Sequence, residues 1–155
     1  MAVTLKVNNI SFEYPEQGEQ QPWGEAATGW ASEVTDLLAS FKNEADILET
    51  TVSILNNQST LANVLGLSFD SNTVRAFAME AVIIRPYTGS SKYEKVILNG
   101  LNTETGGWIL EQESIGDDSG VEFSITVGGQ VQYTSTSLSG GTSGTIKYQA
   151  KTVLK

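Results

Sequence analysis

Hydrophobic and polar residues alternate in two short segments at the start of the chain. The alternating apolar residues are Val3, Leu5 and Val7 before the pair Asn8 and Asn9, and Ile10, Phe12 and Tyr14 after it. Such alternation is typical of half-buried strands, and asparagine tolerates the positive φ angles of a tight turn. The pattern predicts an N-terminal β-hairpin arm that occupies residues 1–22 together with a spacer rich in Gln and Pro.

The hydrophobic period changes at the first tryptophan, after which apolar residues recur every three or four positions. This stripe includes Trp23, Trp30, Val34, Leu37, Phe41, Leu48, Val52 and Leu55. It predicts one long, coiled-coil-like helix of roughly 33 residues within the segment 23–63. So long a helix has little to pack against in its own chain, so we expect these eight residues to form an oligomerisation surface. The alternative is a helix that lies across the chain's own sheet.

From residue 64 to residue 155 the pattern indicates strands joined by turns rich in Gly and Ser. Residues 74–85 are apolar on both faces of a predicted strand apart from Arg75, Glu80 and the final Arg85, which is typical of a central strand covered on both faces. The glycine pair at 128 and 129, between two alternating segments, predicts a hairpin with a primed turn. We expect the last three strands to form an antiparallel meander. The predicted fold class is α+β, with a hairpin arm, one long helix and a C-terminal antiparallel β-sandwich or small barrel.

Composition restricts the chemistry that is open to the chain. It contains no histidine and no cysteine, so the commonest general base and the thiolate nucleophile are missing. Eighteen acidic residues against nine basic ones give a net charge of −9, so we expect neither a nucleic acid nor an anionic membrane surface as a partner. The first residues lack the pattern of a signal peptide, and no segment approaches the about 20 apolar residues of a membrane span.

Two pairs of carboxylates are candidate sites, and each pair has a simpler structural explanation. Asp117 and Asp118 lie in a turn between glycines and could offer oxygens to calcium, but turn propensity explains both. Glu111 and Glu113 share one face of a predicted strand and could act as an acid and a base, but they are typical of exposed strand residues. We therefore predict no catalytic residue, no metal and no cofactor.

Two stretches of the chain resemble structural proteins of tailed-phage particles. Residues 7–41, VNNISFEYPEQGEQQPWGEAATGWASEVTDLLASF, resemble an N-terminal segment in which a hairpin of the ING-x-x-Y-x-YP kind precedes a WG-x-x-x-x-x-WA-x-x-VT helix. Residues 120–152, GVEFSITVGGQVQYTSTSLSGGTSGTIKYQAKT, are similar to the closing β-domain of phage fibre-like and capsid-decoration proteins. In that domain GV-x-F-x-IT precedes GQ-x-QYTST.

The resemblance implies a non-enzymatic virion protein, commonly a homotrimer, that is assembled in the host cytoplasm. It also implies that the N-terminal part anchors the chain to the major capsid protein or another virion protein, with Ile10, Phe12 and Tyr14 on the anchoring surface. Because the chain lacks the large insertions of long fibres, we expect a capsid decoration (cement) protein or a short head fibre.

Two alternatives to a decoration protein remain open. The first is a receptor- or glycan-binding tail-fibre module that uses loops at 86–92, 99–107 and 138–144. Tyr87, Tyr93 and Trp108 lie near these loops and could stack on a sugar ring. The second, with least support, is a polysaccharide depolymerase.

Overall fold

The computed structural model describes residues 3–7, 10–14, 23–40, 45–103, 105 and 107–155. Side chains are described for residues 28–36 and, from residue 45 on, for the same ranges. The chain divides into two compact units, residues 1–43 and residues 44–155.

The first unit combines a β-hairpin with one helix. Its elements are β1 (Val3–Val7), β2 (Ile10–Tyr14) and α1 (Trp23–Ser40). The two strands pair antiparallel with Leu5 opposite Phe12, so the alternating apolar positions of both strands fall on one face of the hairpin. Helix α1 contacts both strands. The predicted hairpin is confirmed, while its turn at Asn8 and Asn9 lies outside the described residues.

Helix α1 ends at Ser40, so the predicted long, coiled-coil-like helix is wrong. Residues 47–54, which fall inside the predicted helical segment 23–63, and residues 62–68, which begin inside it, form strands of the second unit. Four of the five residues from 50 to 54 are β-branched, and such side chains lose rotamer freedom in a helix but pack well on a sheet. The steps of three and four continue past Phe41 by coincidence, since Leu48 and Val52 lie on one strand and Ala45 and Leu55 lie outside it.

The second unit contains two antiparallel sheets. Its strands are β3 (Ile47–Ile54), β4 (Ala62–Ser68), β5 (Val74–Tyr87), β6 (Ser90–Thr103), β7 (Gly107–Gly116), β8 (Val121–Ile125), β9 (Gln130–Ser135) and β10 (Gly144–Leu154). The five-stranded sheet has the order β3-β10-β5-β6-β7, and the three-stranded sheet has the order β4-β9-β8. With ten strands and one helix among the described residues, the chain is mainly β, and the predicted α+β class is wrong.

The two sheets enclose one hydrophobic core. Met79, Leu98 and Ile146 from the five-stranded sheet and Leu67 and Val131 from the three-stranded sheet are all fully inaccessible to solvent. Alternate residues of β5, β6, β9 and β10 point into this core, which is the packing of a β-sandwich. The arrangement agrees with the antiparallel sandwich predicted for the C-terminal β-domain.

Two predictions about individual strands need correction. Strand β5 is central in its sheet, as predicted, but described residues cover only one of its faces, and Val82 and Ile84 are exposed on the other. Strand β10 pairs with β3 and β5, so it does not continue the β8–β9 hairpin, and the predicted three-stranded meander is wrong. In that hairpin only Gly129 of the glycine pair has a positive φ, at 90°.

Candidate functional site

The outward side of the five-stranded sheet, called here the outer sheet face, is uncovered in the described part of the second unit. On β5 the odd-numbered residues from 77 to 85 are buried, and the even-numbered residues from 78 to 84 are exposed. The strand register carries this face across β10, β6 and β7. Its apolar members are Ala76, Ala78, Val82, Ile84, Tyr93, Ile97, Leu101, Ile109, Ile115 and Val153.

One row of this face is apolar on four adjacent strands. Val153 pairs with Ala76, Ala76 with Leu101, and Leu101 with Ile109. The exposed fractions are 60% for Val153, 47% for Leu101 and 60% for Ile109. With strands about 4.8 Å apart, this aliphatic row spans about 15 Å of continuous exposed hydrocarbon.

A second apolar cluster lies towards the other end of the same face. Tyr93 pairs with Ile84, and Ile115 pairs with Lys95, which in turn pairs with Val82. The exposed fractions are 58% for Tyr93 and 67% for Ile115. Large apolar side chains therefore lie at both ends of the outer sheet face.

Between the apolar ends lies a charged belt formed by Glu49, Glu80, Lys95 and Lys147. Lys147 Nζ lies 2.8 Å from Glu49 Oε1, and Lys95 Nζ lies 3.0 Å from Glu80 Oε1. Two adjoining grooves of about 290 and 310 Å³ share Glu49, Glu80 and Gln149 in their walls. The belt has no net charge, although the whole chain carries −9.

A buried polar network fixes one end of the sandwich. The Arg85 side chain is 1% exposed, and its guanidinium donates to Asn56 Oδ1 at 2.7 Å, to the Thr136 carbonyl at 2.5 Å and to the Ser119 carbonyl. Ser119 in turn donates to the buried carboxylate of Glu94 from its backbone N, at 3.1 Å, and from its hydroxyl. Burial lowers the pKa of Arg85. The network ties the 116–120 loop to β5 and β6.

The two aspartates proposed for calcium have structural roles in this loop. Asp117 Oδ2 accepts a hydrogen bond from Tyr93 N at 3.0 Å, and Asp118 Oδ1 accepts one from Gly120 N at 2.8 Å. Within the described residues no group of three or more acidic side chains is placed to hold a metal ion. Turn geometry therefore accounts for both aspartates.

The structure does not bring the eight predicted oligomerisation residues together on one helix. Trp23, Trp30, Val34 and Leu37 lie on α1, and Phe41 lies outside the described residues. Leu48 and Val52 lie on β3, and Leu55 follows that strand. Trp30 is 43% exposed, Leu48 65% and Leu55 57%. The predicted anchoring residues Ile10, Phe12 and Tyr14 all lie on β2.

Of the three predicted sugar-binding loops, 86–92 and 99–107 are mostly strand in their described residues, and 138–144 is a loop up to Gly144, where β10 begins. Residues 99–103 belong to β6, and β5 and β6 meet at a two-residue turn formed by Thr88 and Gly89. Trp108 packs against Phe77 with ring centroids 5.5 Å apart and donates from Nε1 to Ser71 Oγ at 3.1 Å, so its role is structural. Tyr93 is the one of the three aromatics that is exposed, and it lies on the outer sheet face.

The sequence interpretation missed the outer sheet face, although its pattern was present. Leu101, Ile109 and Val153 were not singled out, and Val82 and Ile84 were interpreted as buried. Apolar residues at both odd-numbered and even-numbered positions of β5 are equally typical of a strand between two layers and of a strand with an interaction surface on one side. The pattern alone does not distinguish the two.

Comparison with known proteins gives distant structural likenesses to phage tailspike proteins. No protein-family model and no curated protein matches the chain. Its structure is similar to a tailspike protein, gp49, of the Acinetobacter baumannii bacteriophage Fri1, a capsular polysaccharide depolymerase. That match has a TM-score of 0.41 and 15% identity and covers 77% of this chain and 23% of that one. It is also similar to the tailspike protein of the Acinetobacter phage vB_ApiP_P1, with a TM-score of 0.36 and 10% identity over 70% of this chain and 21% of that one.

Both of these structures are phage tailspike proteins. The chain spans less than a quarter of the length of either tailspike. Among the described residues, no helix is long and apolar enough to cross a bilayer.

Proposed function

We propose that the chain is a non-catalytic structural protein of a tailed-phage particle, and that copies of it meet through the outer sheet face. The observation that carries this proposal is the aliphatic row of Val153, Ala76, Leu101 and Ile109 on four adjacent strands. Soluble domains seldom leave contiguous apolar surface of this kind uncovered, and such patches mark interaction sites.

The charges of the face favour a copy of the same chain as the occupant. At a net charge of −9, two copies repel one another on average. The charged belt carries two lysines and two glutamates in ion pairs, so it offers both signs to an identical surface. The belt therefore adds no net repulsion between copies, and Glu111 and Glu113 of β7 lie outside it on the same face.

The sequence resemblance supplies the class of particle. Its first stretch, residues 7–41, lies within the first unit, and its second, residues 120–152, contains β8, β9 and nearly all of β10. We propose that the first unit anchors the chain by strand addition to β2, where Ile10, Phe12 and Tyr14 lie, and that the assembled form is a trimer on the capsid surface. Three anchors per assembly raise the effective concentration of each at its site.

Imaging of purified particles of the encoding phage tests this function. Gold-labelled antibody against residues 44–155 is expected to decorate the head, and mass spectrometry is expected to detect the chain in heads separated from tails. Label confined to tails would contradict a decoration role, and its absence from purified particles would contradict a virion role altogether.

A glycan-binding module is the second candidate, and one observation favours it. The two adjoining grooves of the outer sheet face are lined by carboxylates, lysines and Gln149, with Tyr93 exposed elsewhere on the face. Such a mixture of polar groups and an aromatic ring suits a sugar. A glycan array discriminates the two functions, since specific binding that is lost in Glu80→Gln would favour the module.

A further inference from the structure

Strand β7 forms one edge of the five-stranded sheet and is long and regular. Its ten residues pair with β6 from Gly107 opposite Thr103 to Gly116 opposite Glu94, without a register shift. No described strand pairs with its other edge. Alternate backbone N–H and C=O groups along this edge are therefore free to bind another strand.

Of the devices that usually prevent strand addition, this edge has only charged side chains, Glu111 and Glu113. It contains no proline, no lysine and no bulge, and every residue from 111 to 116 is exposed. The opposite edge of the sheet is different, because β3 meets β10 with an irregular register beyond Tyr148 and carries the Glu49–Lys147 ion pair. Of the two edges, β7 is the one open to an added strand.

The charges of β7 select the kind of strand that fits. Glu111 and Glu113 lie on the outer sheet face, and their neighbours on β6 are Asn99 and Ile97. No described residue forms an ion pair with either carboxylate. A strand added at this edge gains two ion pairs if it carries lysine or arginine at two positions on one face.

The same glutamates oppose pairing of β7 with β7 of a second copy. In an antiparallel pair with the outer faces aligned, the two registers of greatest overlap place Glu111 opposite Glu113 or Glu111 opposite Glu111. Like charges directly opposite one another destabilise a sheet. Pairing of β7 with β7 of a second copy is therefore disfavoured, and pairing with a strand that carries positive charge is favoured.

We infer that the β7 edge, from Glu111 to Gly116, binds an extended segment of another protein that carries basic residues at alternate positions. This partner is additional to the copies that meet at the outer sheet face. The inference holds whether or not the chain is part of a phage particle, because it rests on the edge and its charges alone.

Residue-resolved amide hydrogen exchange of the full chain tests the inference, with a peptide of alternating lysine and threonine as the probe. The peptide is expected to slow exchange at alternate amides of residues 111–116, and a matched peptide of glutamate and threonine is expected to leave them unchanged. Glu113→Lys is expected to weaken binding of the lysine peptide by roughly fivefold to tenfold.

Glu122→Lys is the matched control, because Glu122 is exposed on β8 in the other sheet and the substitution changes the net charge equally. It is expected to retain most of the affinity for the lysine peptide. An equal loss of affinity for the lysine peptide in the two variants would show that only the net negative charge of the chain attracts the peptide, and would overturn the inference. Binding of the peptide without protection of the β7 amides would overturn it as well. Protection of the β7 amides by the peptide does not depend on the oligomeric mass of the chain, which separates this test from that of the outer sheet face.

Discussion

Gly100 on β6 lies directly opposite Phe77 on β5, and the Phe77 ring occupies the space where a side chain at position 100 would go. A Cβ atom at Gly100 would lie 2.0 Å from Phe77 Cε1. The ring has little freedom to move, since it stacks on Phe69 with centroids 3.8 Å apart and packs against Trp108. The glycine is therefore part of the aromatic packing in the core.

Gly100→Ala is expected to destabilise the second unit by about 1 to 3 kcal/mol, the usual range for overpacking a core. Urea unfolding followed by tryptophan fluorescence measures the effect. Gly107→Ala is the control, because a Cβ at Gly107 has no neighbour within 4 Å. The control should change the free energy of unfolding by no more than about 0.5 kcal/mol. Equal stability of the two variants would show that the Phe77 ring yields to the new methyl group.

Arg85→Met is expected to destabilise the fold by about 3 kcal/mol or more, because it removes the guanidinium donor from the carbonyls of Ser119 and Thr136 and leaves Asn56 Oδ1 with Leu138 N as its donor. Arg85→Lys should not restore stability, since one ammonium group cannot reproduce the planar fork of the guanidinium. Chemical denaturation measures both variants. Lys95→Met is the control, because Lys95 forms an exposed pair whose loss costs at most about 1 kcal/mol. An Arg85→Lys variant as stable as the wild type would contradict this account.

Asp46 makes the stability of the second unit fall at acid pH. Burial opposes ionisation of its carboxyl group, but the hydrogen bonds from Lys151 and Thr152 outweigh burial and lower the pKa of Asp46. The carboxylate accepts from Lys151 Nζ at 2.9 Å and from Thr152 N at 2.7 Å. The pKa of Asp46 is lower in the folded state than in the unfolded state, so its carboxylate stabilises the fold fully above the unfolded-state pKa of about 3.9. This stabilisation is lost as the pH falls through the pKa of the folded state.

Asp46→Asn is expected to cost on the order of 1 to 3 kcal/mol at neutral pH, because it removes hydrogen bonds to a charged acceptor. The difference from the wild type should shrink below about pH 4. Thermal unfolding between neutral and acidic pH measures it, and Glu49→Gln, which breaks an exposed pair, should have little effect at any pH. A difference that stays constant down to pH 2 would mean that the charge of Asp46 contributes nothing.

The sequence predicted the local features of this fold well because neighbouring residues determine them. Alternation identified the hairpin of β1 and β2, and the glycine pair identified the turn between β8 and β9, where Gly129 needs a positive φ. Helix α1 was predicted at its correct start, Trp23. Each of these elements depends on contacts within a few residues along the chain.

The sequence failed where distant residues decide the structure. Leu48 and Val52 match a helical stripe, and they form a strand because β10, about 100 residues later in the chain, pairs with it. The outer sheet face was missed for the same reason. Whether Val82 and Ile84 are buried depends on whether a second layer covers β5, and no pattern within β5 contains that information.

Sedimentation equilibrium of the purified chain at tens of micromolar is the most direct test of the proposal that copies meet through the outer sheet face. The wild type is expected to be an oligomer, and the double variant Leu101→Lys with Ile109→Lys a monomer that keeps the wild-type circular-dichroism spectrum, since both side chains are exposed on their strands. A monomeric wild type, or a folded double variant with the same mass as an oligomeric wild type, would contradict the proposal.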